Sequence, residues 1–90
     1  MPLGNDQFHR ISKALADPRR FEILARIANC KEMACIDLKT EFPITPATLS
    51  HHIGELTDAG LIEVRREGKF MHMQLRRNVW NDYLARLGKL

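Results

Sequence analysis

Apolar positions along this chain recur at helical spacing in five places and at strand spacing in one. Phe8, Ile11 and Leu15 repeat every three or four residues, which predicts a first helix over about 6–16. Asp17 is a good N-cap and Pro18 a good first helical residue, so a second helix is expected to start there. Within it Phe21, Leu24, Ala25 and Ala28 form one stripe, and Ile23 and Ile27 widen it. An arc that broad belongs to a central core helix. A short third helix is expected over 35–41, with Cys35, Ile36 and Leu38 inward. Phe42-Pro43-Ile44 then makes a turn, because proline disfavours helix at the residue before it.

The fourth helix, over about 46–59, has both ends marked. Thr45 is suited to cap it, Pro46 to open it and Gly60 to close it in the left-handed conformation. Leu49, Ile53 and Leu56 fall within a narrow arc, with His52 toward the buried side. Ala47, Ser50, His51, Gly54 and Asp58 lie around the opposite side. A helix meant only for solvation is usually built from Glu, Lys and Arg. One with small and hydrogen-bonding side chains can approach another surface closely, as a helix in a major groove must.

Leu61 to Arg66 and Lys69 to Leu75 then read as two strands around a Glu67-Gly68 turn, a hairpin over about 61–75. Its tip carries Arg65, Arg66 and Lys69. Asn78 is placed to cap a last helix over about 78–88, in which Trp80, Tyr83, Leu84 and Leu87 share a face. The order is α-α-α-α-β-β-α, a mainly α chain with a small β-hairpin. This is the winged helix-turn-helix pattern.

Ninety residues are expected to make one domain, spanning 1–90, with a modest core for a lone monomer. The formal net charge is only +3, but residues 61–77 hold five Lys or Arg against two Glu. The excess sits on and beside the hairpin, where a DNA backbone contact would be. Apolar stripes on the first and last helices (Phe8, Ile11, Leu15; Trp80, Tyr83, Leu84, Leu87) compete for a small core. A two-fold interface between these helices would satisfy both and pair the readers for two half-sites. No stretch of eighteen apolar residues appears, so no membrane partner is expected. The opening Met1-Pro2-Leu3-Gly4-Asn5-Asp6 lacks the layout of a signal peptide. Two cysteines make no disulfide framework, and a reducing cytoplasm is the expected setting.

Four stretches, in order and at matching spacing, carry a family resemblance. They are Ala14-Leu15-Ala16-Asp17-Pro18-Arg19-Arg20-Phe21-Glu22-Ile23-Leu24, Thr48-Leu49-Ser50-His51-His52-Ile53, Ala59-Gly60-Leu61-Ile62 and Arg65-Arg66-Glu67-Gly68-Lys69. The chain resembles the ArsR/SmtB family of bacterial and archaeal winged-helix repressors, whose members dimerise through their first and last helices. The resemblance implies DNA contacts from Thr45, Ala47, Thr48, Ser50 and His51, with wing contacts from Arg65, Arg66 and Lys69. The family's frequent Gln at the second recognition position is Pro46 here, which removes a base-reading amide.

The family's metal sites do not carry over. Arsenic-sensing members have Cys-Val-Cys within Glu-Leu-Cys-Val-Cys-Asp-Leu in the third helix. The matching stretch is Glu32-Met33-Ala34-Cys35-Ile36-Asp37-Leu38, with Ala34 and Ile36 at the ligand positions. Zinc-sensing members use Asp and His on the last helix, which here has Asp82 and no histidine. Cys30, Cys35, His9 and His72 show no metal-ligand spacing. The expectation is no metal and no cofactor, Cys35 as a small core residue and Cys30 more exposed, with a reversible Cys30–Cys35 disulfide as a thiol-redox alternative.

No phosphate-binding glycine loop or paired catalytic carboxylates occur, so an enzyme is not expected. The reading is a homodimeric regulator, a repressor of an inverted-repeat operator in double-stranded DNA, with its inducer unknown. The alternative from another class is a winged helix used as a protein-interaction module.

Overall fold

The computed structural model describes residues 3–90, so Met1 and Pro2 of the leader reading lie outside the described residues. In chain order the elements are α1 (Asn5–Leu15), α2 (Pro18–Ala28), β1 (Met33–Ala34), α3 (Cys35–Glu41), α4 (Pro46–Asp58), β2 (Ile62–Glu67), β3 (Phe70–Leu75) and α5 (Arg77–Leu87). The strands form one antiparallel sheet in the order β1-β3-β2. The mainly α winged-helix expectation holds. The added feature is β1, where Met33 pairs with Met73 and is buried beneath the wing. Two residues are too few to show a period, so the sequence carried no strand signal there.

The best-marked helices form where their caps put them. The Asp17 carboxylate accepts from Arg20 N at 3.0 Å, and Pro18 opens α2. Thr45 Oγ1 accepts from Thr48 N at 3.1 Å, and Pro46 opens α4. At the other end of α4, Gly60 has φ +78°. Leu61 N donates to Leu56 O at 3.0 Å and Gly60 N to Thr57 O at 2.9 Å, the paired bonds of a Schellman closure. The Gln7 side chain adds a bond from α1 to Ala59 O at 3.3 Å. The positive φ favours glycine at this position, and a Cβ there would lie 2.5 Å from Gln7 Nε2, so the Gln7 amide would have to move and its bond to Ala59 would be disturbed.

Ile11, Ile23, Ile27, Leu38, Leu49, Leu56, Leu61, Ile62 and Met73 form the fully buried centre. Three expected inward or cap positions and the hairpin loop differ. Phe21 and Ile36 are exposed, because the core lies on the Ile23–Leu24–Ile27 side of α2 and under Leu38 of α3. Asn78 does not cap α5. That helix starts one residue earlier, at Arg77, after Arg76, and has no side-chain cap. Arg77 instead donates to Ala28 O at the end of α2, at 2.8 Å. The hairpin loop is Gly68-Lys69, one position later than expected, since Glu67 still pairs with Phe70. Gly68, at φ +58°, takes the first loop position, as a primed two-residue turn demands.

Candidate nucleic-acid interface

With one side buried and both ends tied, α4 presents its outer face as a rigid surface. Leu49, His52, Ile53 and Leu56 face inward. Thr45, Ala47, Thr48, Ser50 and His51 are all exposed, around the N-terminal half of the helix. Thr45 donates to Thr48 Oγ1 at 2.9 Å while accepting from Thr48 N, so these two hydroxyls are partly committed to the cap. Ser50 and His51 are the side chains most available to a partner.

The buried His52 anchors this face from behind. Its Nδ1 accepts from Arg20 Nε at 3.3 Å, and Arg20 also donates to Ala14 O at 3.4 Å. One guanidinium therefore ties α1, α2 and α4 together. Burial, the largest influence, lowers the His52 pKa; Asp17 opposes it, and Arg20, His51 and Arg19 add to it. Protonation would also turn an N–H toward the Arg20 donor. The unfolded chain thus takes up this proton first as pH falls, and stability should decline from about pH 7.5 to about pH 5.5. Asp17, held low chiefly by the Arg20 backbone N–H, loses its contribution only in more acid solution. Denaturant unfolding at these two pH values should show a smaller difference for His52→Asn than for the unaltered chain. Equal differences would assign the pH dependence to another group.

On the wing, strand alternation separates two neighbouring arginines. Arg65 points to the same face as Glu67 and His72. Its guanidinium lies 2.6 Å from Glu32 and also pairs with Glu67, while His72 Nδ1 is 3.2 Å from Glu32. The Glu32 carboxyl is held below its usual range, first by the Arg65 hydrogen bond. Arg66 faces the other way, into a groove of about 530 Å³ between α3, the start of α4 and the wing. Lys39, Lys69, Pro46, Ser50 and Phe70 share that groove, and among the described residues no carboxylate lines it. The structure therefore groups Ser50 with Arg66 and Lys69, and places Arg65 among acids. Lys39 is a neighbour the sequence reading missed. Only the position of α3 against the wing reveals it.

The expected interface residues divide as well. Ile11 is 0% exposed and Tyr83 6%, so both belong to the chain's own core. Tyr83 Oη lies 2.9 Å from Ser12 Oγ, and its ring centroid is 5.2 Å from that of Phe8. The Arg86 guanidinium covers Phe8 at 4.1 Å. Trp80 and Leu15 are partly buried, whereas Leu84 and Leu87 are exposed.

Cys30 and Cys35 are both free thiols of intermediate burial. Cys30 accepts from Arg26 Nη1 at 3.0 Å, and Arg26 in turn pairs with Glu41 at 2.6 Å. Cys35 lines the groove beside α4, so it is only partly the core residue expected. Among the described residues no three His, Cys, Asp or Glu side chains converge as a metal site would need, and no helix is long and apolar enough to cross a membrane.

Comparison with known proteins gives a consistent picture. A family model described as a helix-turn-helix domain matches residues 15–65. The arsenical resistance operon repressor of Staphylococcus xylosus is 38% identical over 74 residues, 82% of this chain and 69% of that protein. The transcriptional repressor SdpR of Bacillus subtilis is 31% identical, over 82% of this chain and 81% of its own. The crystal structure of the ArsR family transcriptional regulator RHA00566 matches with a TM-score of 0.85 at 25% identity, covering 99% of this chain and 91% of that one. The homodimeric winged helix-turn-helix DNA-binding domain of Mb0332 from Mycobacterium bovis matches with a TM-score of 0.76 at 31% identity, covering 93% and 79%.

Proposed function

We propose that this chain, which belongs to the ArsR family of winged helix-turn-helix transcriptional regulators, represses transcription as a homodimer bound to an inverted repeat in double-stranded DNA. As a member of that family it is a DNA-binding regulator and not an enzyme. The observation that carries the finer reading is the pairing of two surfaces across one groove. The small, hydrogen-bonding face of α4 stands beside Arg66 and Lys69, with no carboxylate between them. A helix of that composition fits a major groove, and the wing cations fit phosphate.

The dimer would form through α1 and α5, bringing together the exposed Leu84 and Leu87 and the partly buried Trp80, Leu15 and Phe8. Repression follows where a dimer bound over a promoter excludes polymerase. Ala34 and Ile36 occupy the arsenic-ligand positions, and α5 has no histidine, so neither arsenite nor zinc should release the protein through those sites. Nuclease protection of DNA upstream of its own coding sequence tests the whole reading. Two symmetric half-sites, insensitive to arsenite and zinc, are expected. Protection of a single unsymmetric site, or release by arsenite, would overturn it.

A further inference from the structure

Helices α2 and α5 do not close on each other completely. Between them, at the end of β3, lies a cavity of about 240 Å³ walled by Phe21, Ala25, Ala28, Leu75 and Trp80. Ala25 and Ala28 are too short to fill the gap that the larger side chains hold open. Phe21 is 46% exposed and has no core to enter. The Trp80 ring is backed by Tyr83, with centroids 6.0 Å apart, and Tyr83 is itself held by Ser12 and Phe8. One wall is therefore fixed before anything binds.

The rim has the opposite chemistry. Arg77 borders the cavity beside Asn29, and among the described residues no carboxylate lines it. The Arg77 bond to Ala28 O, 2.8 Å long, is made by Nη2 and steers the guanidinium to this edge, so that Nη1 and Nε can serve a ligand. Leu75 and Arg77 also line an adjoining pocket with Lys31 and Arg76, where Glu63 is the one carboxylate among the described residues. No ion pair engages Lys31, Arg76 or Arg77 among the described residues.

We infer that this cavity binds a small aromatic carboxylate, its ring against Phe21 and Trp80 and its carboxylate on Arg77, with Lys31 and Arg76 adding positive charge. Aromatic walls suit a ring, and a guanidinium fork matches a carboxylate. An apolar cavity of about 150 Å³ already admits benzene, so 240 Å³ leaves room for a ring and a short acid chain. The site shares no lining residue with the groove beside α4 and stands apart from the DNA-binding reading. A second copy of the chain fits worse. Its exposed Leu84 or Leu87 would fill the apolar part and leave the cations unmatched.

The test is a fluorescence titration of the full chain with 3-phenylpropionate, read on Trp80, the chain's one tryptophan. A saturable change is expected. 3-Phenylpropanamide, alike in shape but uncharged, should bind about tenfold more weakly. Arg77→Gln should remove most of that preference. Ala25→Leu, a good helix former that fills the cavity, should abolish the response to both compounds while thermal melting by circular dichroism shows an intact fold. A response that Arg77→Gln and Ala25→Leu leave unchanged would put the ligand elsewhere and overturn the site. So would the absence of saturation up to about 10 mM acid, where even a millimolar site would fill. If the acid gives no response and Ala25→Leu instead shifts the dimer constant in sedimentation, the cavity belongs to a second copy and the inference falls.

Discussion

A chain carrying Leu84→Asp and Leu87→Asp should sediment as a monomer where the unaltered chain is a dimer, and should lose most of its DNA affinity with it. Leu84 is 46% exposed and Leu87 38% exposed, one turn apart on α5. Neither has a place in the monomer core, which is served from this helix by Val79 and Tyr83. In a two-fold interface each position occurs twice, so the double variant replaces four apolar side chains by four carboxylates. Burying a leucine is worth about 1.5–3 kcal/mol, and an unpaired buried charge costs more. The combined effect should exceed about 5 kcal/mol, several powers of ten in the dimer constant. DNA affinity follows because one reader then binds where two were held at a fixed spacing. Both side chains face outward in the monomer, so the fold itself should survive. Sedimentation at micromolar concentration decides the matter, and an unaltered chain that runs as a monomer would remove the premise.

The same α5 shows how far the sequence could be read. Its apolar spacing identified a helix with Trp80, Tyr83, Leu84 and Leu87 near one another. Periodicity alone cannot say which part of a broad arc meets the chain's own core. Tyr83 turned toward Phe8 and Ser12, and the leucines did not. Phe21 on α2 and Ile36 on α3 were misplaced for the same reason. Helix ends were most legible where a side chain does the capping. Asp17-Pro18, Thr45-Pro46 and Gly60 all sit at the ends they predicted, because each satisfies or permits a specific backbone geometry. The start of α5 was misread because Arg77 binds the carbonyl of Ala28, forty-nine residues away. The ion pair of Arg65 was not legible either, since its partner Glu32 is thirty-three residues distant. The outward side of α4, by contrast, was legible because it is the complement of a narrow buried stripe.

Changes in α4 and in the wing should therefore fail in different ways at DNA. Ser50 and His51 stand exposed on the N-terminal half of the helix, and under the proposed function they would meet base edges or adjacent phosphates in a major groove. Ser50→Ala and His51→Ala should each cost about 1–3 kcal/mol per base contact removed and flatten the preference for operator over random DNA. Arg66, aimed into the groove beside Ser50, should act mainly by displacing counterions. Arg66→Ala should weaken operator and random DNA almost equally and lower the salt slope by about 1.8 for a dimer. Arg65→Ala should change that slope less, because Glu32 and Glu67 already face its charge. Paired salt titrations on operator and scrambled duplexes separate these outcomes. If Arg66→Ala abolishes discrimination while Ser50→Ala and His51→Ala preserve it, the wing is the reader and α4 the clamp.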